Sequence, residues 1–252
     1  MGDNIDFISA ISSAELRELD TAVASILGSE TILDHNAGAV EEATRSVIRD
    51  PSPLLRDVVG FALSSDAGLS MISSVYDEKE LWIRLFLRDA GNYSLRLHIW
   101  LPSPDGTVAI ETAHSHRRYL ISYVLSNRYT SYDYQVGHDN TITSVSEREI
   151  GAGTCYLIKP ETVHAISNQT EKHTVTLIVR GGAVRNQIHF FDDGTRSLRA
   201  YSGQRPIGNI GRTDSEQAMD RKAYLGYRLR RLVSEADSLS VAQFASSSGE
   251  PG

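Results

Sequence analysis

The stretch "ETAHSHRRYLISYVL" (residues 111–125) places His114 and His116 one residue apart, directly before an apolar run. Alternate residues of an extended strand project to the same face, so the two imidazoles are predicted to lie side by side at the head of a strand. Neighbouring imidazoles can reach one metal ion, although an H-x-H pattern alone has many chance matches. The pattern becomes informative only if a further ligand comes from elsewhere in the chain.

The sequence around this stretch has the alternation typical of strands. "LWIRLFLRDAGNYSLRLHIWLP" (81–102) contains two alternating runs around a Gly-Asn turn, which is a strong hairpin signal. So many short strands in one block predict an all-β sandwich or barrel. The further predicted strands are 118–125, 128–136, 141–145, 153–159, 174–180 and 187–191.

Helices are predicted on both sides of this β block. The first is expected to begin in a capping box of Ser12 and Glu15 and to end at Gly28. The next two are predicted over 39–49 and after the break at 50–53.

The β block and its flanks predict a mainly β chain with helices at both ends. A C-terminal helix is predicted over 215–236, and the tail after it is expected to be disordered. We expect three parts: 1–66, a helical N-terminal extension packed on the barrel; 67–199, the β-barrel; and 200–252, a linker, the C-terminal helix and the tail.

Composition excludes several classes of function. The net charge of −7 over 252 residues argues against a nucleic-acid binder, and the sequence shows neither a membrane span nor a signal peptide. The single cysteine, Cys155, excludes a thiolate zinc cluster and is expected to be a buried, inert thiol. We expect a cytoplasmic protein with a small-molecule substrate, and a homo-oligomer stays open.

A second motif, "GTCYLIKPETVHAISN" (153–168), supplies the missing ligand. Together the two motifs resemble those of the cupin superfamily, in which H-x-H and a later G…P…H-x-x-x-N meet inside a jelly-roll barrel. The resemblance implies that His114, His116 and His164 bind a metal ion.

The glutamate that usually follows the cupin H-x-H is absent, since Leu120 and Ile121 stand in its place. A neutral three-histidine set resembles the cysteine-dioxygenase-like thiol dioxygenases, and residues 80–195 are similar to that branch. This likeness implies a carboxylate-binding arginine near Arg84 and a tryptophan, Trp100, facing the cavity.

The chain also departs from that branch. Arg180 replaces the catalytic tyrosine of the closing strand, and Thr176 and Ile178 replace its serine and histidine partners. Ile121 stands where the family has a cysteine that cross-links to the tyrosine. The metal scaffold is therefore retained while its surroundings differ, which suits a specialised biosynthetic pathway better than general sulfur catabolism.

Other residues are candidates for catalysis or substrate binding. Arg84 and Arg180 are candidates for binding a substrate carboxylate, because a guanidinium binds a carboxylate through two hydrogen bonds. His98 shares a strand face with Trp100 and is an acid–base group, a substrate contact, a fourth metal ligand or a hydrogen-bonded core residue. Tyr123 and Tyr156 are either pocket hydroxyls or packing residues. The remaining histidines, 35, 138, 173 and 189, are assigned to loops, turns or the surface.

The resulting expectation is an Fe(II)-dependent cupin oxygenase that uses O₂ on a small amino-acid-like substrate, for which a thiol such as cysteine is the first to test. Three imidazoles also suit other divalent metals. A zinc, nickel or manganese cupin with isomerase, lyase or hydrolase activity is therefore an alternative, as is a non-enzymatic module that binds a small acid.

Overall fold

The computed structural model describes residues 6–28, 34–64, 66–73, 82–102, 110–192, 196–202, 229 and 232. Its helices are a short 3₁₀ turn (Ile8–Ala10), α1 (Ala14–Leu27), α2 (Asp34–Val47), α3 (Pro51–Ser64) and α4 (Asp66–Ser70). Its strands are β1 (Ile72–Ser73), β2 (Trp82–Asp89), β3 (Tyr93–Trp100), β4 (Leu120–Ser126), β5 (Arg128–Val136), β6 (Ile142–Gly151), β7 (Cys155–Ile158), β8 (Val163–Ser167), β9 (Thr174–Gly181), β10 (Gln187–Asp192) and β11 (Ser197–Ser202).

Two antiparallel layers form the β structure. The first is a six-stranded sheet in the order β1-β2-β3-β9-β4-β7. In the second layer β5 lies between β6 and β8. The extended segment 111–115 continues this layer, because His114 bridges His164 of β8 on one side and Phe190 of β10 on the other.

The strand order is that of a jelly roll. In each layer, several neighbouring strands come from distant parts of the chain, as in β3-β9-β4-β7 and in β5-β8 followed by 111–115. The layers face each other through an apolar cluster that joins Trp100 and Val124 to Tyr129 and Ile166. Two packed antiparallel sheets with this connectivity form a jelly roll, so the predicted fold is confirmed.

The helices cover the outer face of the six-stranded sheet. Residues of α1, α2 and α3 share one buried cluster with alternate residues of β2, β3, β4 and β9. Both faces of β3 are therefore buried, since helices cover one and the second sheet covers the other. None of the helices in the described ranges combines the length and apolar character needed to cross a membrane.

The boundaries of several elements differ from those predicted. The N-cap of α1 is Ser13 rather than Ser12, because the Ser13 hydroxyl accepts a hydrogen bond from the Leu16 N–H at 3.2 Å. The helix does end at Gly28, whose φ of +53° suits a residue without a Cβ. Strands β8 and β11 were not predicted, and β6 extends to Gly151.

The predicted C-terminal helix and disordered tail lie outside the described residues except at two positions. Leu229 and Leu232 are helical, and both are buried in the cluster beneath the helices.

Candidate metal centre

Three histidines meet at one side of the barrel. The imidazole nitrogens of His114, His116 and His164 that can bind a metal all lie within 4.8 Å of one another. Nε2 of His116 is 2.8 Å from Nε2 of His164. The three therefore form a group that can hold a divalent metal ion.

Backbone pairing holds this group in place. His114 and His164 exchange both of their N–H···O bonds at 2.9 Å, which fixes the H-x-H segment against β8. On the other side, the Ser115 N–H donates to the His189 carbonyl at 2.9 Å. The two histidines do not lie at the head of β4 as predicted, because β4 begins only at Leu120 and His114 lies in the separate extended segment 111–115. They still lie side by side, with ring centroids 4.8 Å apart.

The orientation of His114 leaves one nitrogen available for a metal. Its Nδ1 lies 2.9 Å from the Thr112 carbonyl, which can only accept, so Nδ1 carries the proton. Its Nε2 then keeps a lone pair, and such a backbone hydrogen bond is how ligating histidines are commonly oriented. Glu111 lies beside it, with Oε1 3.9 Å from the same Nδ1.

Burial keeps the other two imidazoles neutral. Burial, followed by the nearby His114, lowers the pKa of His164 to about 3. Burial also lowers the pKa of His116 well below its usual value, with additional contributions from His114 and His164. A neutral imidazole is the form that binds a metal, so these ligands need lose no proton at neutral pH.

The distances suit a metal ion between the three rings. Metal–nitrogen bonds of about 2.0–2.1 Å separate adjacent ligand nitrogens by roughly 3 Å, close to the His116–His164 spacing. Two neutral imidazole nitrogens that face each other in a buried site can both bind one cation. Three protein ligands leave coordination positions open, which is typical of catalytic rather than structural sites.

The inner face of the six-stranded sheet carries most of the other predicted site residues. On β3, Arg96, His98 and Trp100 alternate with Leu95, Leu97 and Ile99, which pack under the helices. Arg84 pairs with His98 in the β2–β3 register, and its guanidinium carbon lies 5.0 Å from the Phe86 ring centroid. Arg84 is therefore on the inner face, and Arg180 occupies the corresponding face of β9.

His98 lies between aromatic rings and positive charges. Its ring centroid is 4.5 Å from that of Trp82 and 6.4 Å from that of Trp100. Burial lowers its pKa well below the usual value, and Arg84, Arg96 and Arg180 act in the same direction. His98 is thus a neutral imidazole, and the three-histidine group does not include it among the described residues.

Two tyrosines form a hydrogen-bonded pair inside the barrel. The hydroxyl of Tyr156 contacts that of Tyr129, and Ser122 hydrogen-bonds to both. Burial raises the pKa of each tyrosine, so both remain protonated at neutral pH. Tyr156 therefore provides a hydroxyl in the interior of the barrel.

Tyr123 is placed elsewhere. It packs against the cluster beneath the helices, directly across the β4–β7 pair from Cys155. The structure thus puts this candidate catalytic residue on the face opposite to His98. Cys155 is buried as predicted, and burial raises the pKa of its thiol to about 12. His173, predicted at the surface, is buried with 2% of its area exposed.

Three interior residues were not singled out as site candidates from the sequence, namely Arg96, Ser122 and Tyr129. Arg96 shares strand parity with His98 and Trp100, and that parity was the available signal. It is 6% exposed, and its guanidinium carbon lies 4.4 Å from the Phe86 ring centroid. Ser122 and Tyr129 carry no pattern that distinguishes them from packing residues.

Comparison with known proteins finds solved structures that resemble this chain at low sequence identity. The chain matches no protein-family model, and no curated protein matches it. An RmlC-like cupin from Shewanella frigidimarina is 15% identical, with 45% of this chain and 84% of that one covered and a TM-score of 0.33. A cupin-superfamily sugar phosphate isomerase from Silicibacter pomeroyi is 16% identical, with 53% and 90% covered and a TM-score of 0.35.

A third similar structure is an oxalate decarboxylase from Lactobacillus farciminis, 12% identical, with 46% of this chain and 33% of that one covered and a TM-score of 0.36. Likenesses of this size say nothing about the substrate or reaction of this chain. The functional conclusion depends on the residues of the site itself.

Proposed function

We propose that this protein is an oxygenase with Fe(II) at the three-histidine centre, acting with O₂ on a small amino-acid-like substrate that carries a carboxylate. The observation that supports this most is the cluster of the His114, His116 and His164 imidazoles, together with Arg84 and Arg180 on the inner face of the six-stranded sheet. When bound, Fe(II) would supply the redox chemistry that O₂ needs, and the residues around it have separable tasks.

The ligand set favours an anionic substrate. Three neutral imidazoles leave the charge of a divalent cation uncompensated, and the barrel interior is poorly solvated. A substrate with a carboxylate or thiolate would offset that charge. Arg84 and Arg180 would orient it, because a guanidinium fixes both oxygens of a carboxylate.

The remaining interior residues bind and enclose the substrate in this proposal. Trp100 and Trp82 provide apolar walls, and neutral His98 provides a nitrogen that can accept or donate a hydrogen bond. The Tyr156 hydroxyl stays protonated and can donate to a substrate oxygen. Because Arg180 replaces the tyrosine of the similar dioxygenases, the product is proposed to differ from a simple sulfinate.

The test is metal analysis followed by O₂ uptake. Protein purified without O₂ and reconstituted with Fe(II) is expected to hold about one iron per chain, consistent with one three-histidine group among the described residues. An oxygen electrode should then record uptake with at least one member of a panel of amino acids and thiol carboxylates, beginning with cysteine. An iron-loaded protein that consumes no O₂ with any member would contradict the proposal.

A further inference from the structure

Three arginines form one group on the inner face of the six-stranded sheet. Arg84 pairs with His98, two residues along β3 from Arg96, and Arg180 pairs with Ser94, two residues in the other direction. Arg84 and Arg180 are thus the diagonal neighbours of Arg96, with Cα atoms roughly 7–8 Å away across the strand pairs. Arg96 lies in the middle of the group.

The central arginine is buried without an acidic partner. Arg96 is 6% exposed, and its buried Nε has no hydrogen-bond partner in the described part of the chain. Its observed contact is with the face of Phe86, at 4.4 Å. Within the same residues, no carboxylate lies at ion-pair distance from Arg96 or Arg180, whereas Arg88 pairs with both Asp6 and Asp20.

Arg96 and Arg180 carry positive charge that no carboxylate of the described residues neutralises through an ion pair. Burial, followed by the nearby Arg180 and Arg84, lowers the pKa of Arg96 to about 8. Burial lowers the pKa of Arg84 and of Arg180 to about 10. Among the described residues, Asp89 is the acidic group that raises the pKa of Arg96, and an unpaired buried charge is costly. A bound anion would remove this cost.

The group adjoins the metal centre. Arg180 pairs with Leu120 of β4, four residues after His116, and the charge of Arg180 helps to lower the pKa of His116. The three imidazoles add no negative charge, and a divalent cation would add two positive ones. A single carboxylate therefore leaves most of the positive charge of the interior unbalanced.

We propose that Arg84, Arg96 and Arg180 bind a substrate with two acidic groups, in the class of small dicarboxylic acids, next to the three-histidine centre. This inference rests on the proposed function, because it names the substrate class of that site. Each carboxylate would accept paired N–H bonds from a guanidinium, which a planar fork of donors favours. Arginines spread over three strands suit two separated carboxylates better than one compact phosphate.

Binding to the metal-free protein tests the inference without any activity. Calorimetry should show glutarate and glutamate binding at least 10-fold more tightly than butyrate or inorganic phosphate. At 100 times its dissociation constant, glutarate should raise the unfolding midpoint by roughly 5–10 °C. Equal affinity for butyrate and glutarate, or tighter binding of phosphate, would overturn the two-carboxylate site.

Two variants separate binding from folding. Arg96→Met should weaken glutarate binding by about 10–100-fold, the effect expected for a lost charged hydrogen bond, while leaving the ligand-free unfolding midpoint unchanged or higher. Arg128→Gln is the matched control, because Arg128 is 58% exposed on β5, and its binding should equal that of the parent protein. Undiminished glutarate binding by Arg96→Met would overturn the site.

The two proposals fail in different ways. Glutarate binding to metal-free protein, combined with no O₂ uptake by the iron-loaded protein, would retain the dicarboxylate site and reject the oxygenase. O₂ uptake with a monocarboxylate substrate, combined with no preference for glutarate, would retain the oxygenase and reject the dicarboxylate site.

Discussion

His164→Ala is expected to lower the affinity of the protein for a divalent metal by more than about 100-fold, which exceeds the 10–100-fold loss typical for an outer partner of a ligand. The residue is 4% exposed, and its Nε2 lies 2.8 Å from that of His116. Alanine would leave two imidazoles and a small void. Metal titration by calorimetry, with Zn²⁺ and anaerobic Fe²⁺ in separate experiments, measures the loss.

The same variant should lose the stabilisation that metal confers. A metal at 100 times its dissociation constant adds about 2.7 kcal/mol to the free energy of unfolding of a protein that binds it only when folded. The control is His138→Ala, because His138 is exposed in the turn between β5 and β6. Metal affinity retained in His164→Ala, or lost equally in both variants, would contradict the ligand assignment.

The stability of the metal-free protein is expected to fall as the pH drops below about 6.5, in part through His98. The folded state holds this imidazole neutral, since its pKa is lowered well below the usual value by burial and by three arginines. The unfolded chain takes up the proton near pH 6.5, so acid favours unfolding. The contribution of one such group is about 1.4 kcal/mol per pH unit below that point.

Urea unfolding at pH 8, 6.5 and 5 checks this expectation. The pKa values of His116 and His164 are also lowered, so these residues contribute to the loss of stability in acid as well. The contribution of His98 is therefore measured as the difference between the parent protein and its variants in the slope of unfolding free energy against pH. His98→Gln and His98→Phe should both show a shallower loss of stability between pH 6.5 and 5 than the parent protein, by up to about 2 kcal/mol. His138→Gln should keep the parent slope. An unchanged slope in both His98 variants would mean that His98 is protonated in the folded state.

Much of the fold follows from local sequence patterns. The β2–β3 hairpin was predictable because two alternating runs flank a short turn, and the turn residue Gly91 has a φ of +87°. Strand β5 was predicted with its observed limits of 128 and 136. The three-histidine group was predictable because the motifs at 111–125 and 153–168 resemble those of the cupin superfamily, whose H-x-H and later histidine bind one metal ion.

The features that could not be predicted have a common physical cause. Strand β3 is buried on both faces, and all five residues of β8 are buried, so hydrophobic alternation does not show which side lines the barrel. Tyr123 lies on β4, which is also buried at most positions on both faces, so its face could not be assigned from the sequence. The unpaired charge of Arg96 depends on which strands become its neighbours, which is a property of the jelly-roll connectivity alone.

X-ray absorption spectroscopy of the zinc-loaded protein tests the central claim most directly, because it reports the ligands of the bound ion. We predict three imidazole nitrogens at about 2.0–2.1 Å, with the multiple scattering of histidine rings and no sulfur ligand. The buried Cys155 lies across the sheet from this site, on the outer face. A fitted sulfur ligand, or one imidazole or none, would contradict a centre formed by His114, His116 and His164.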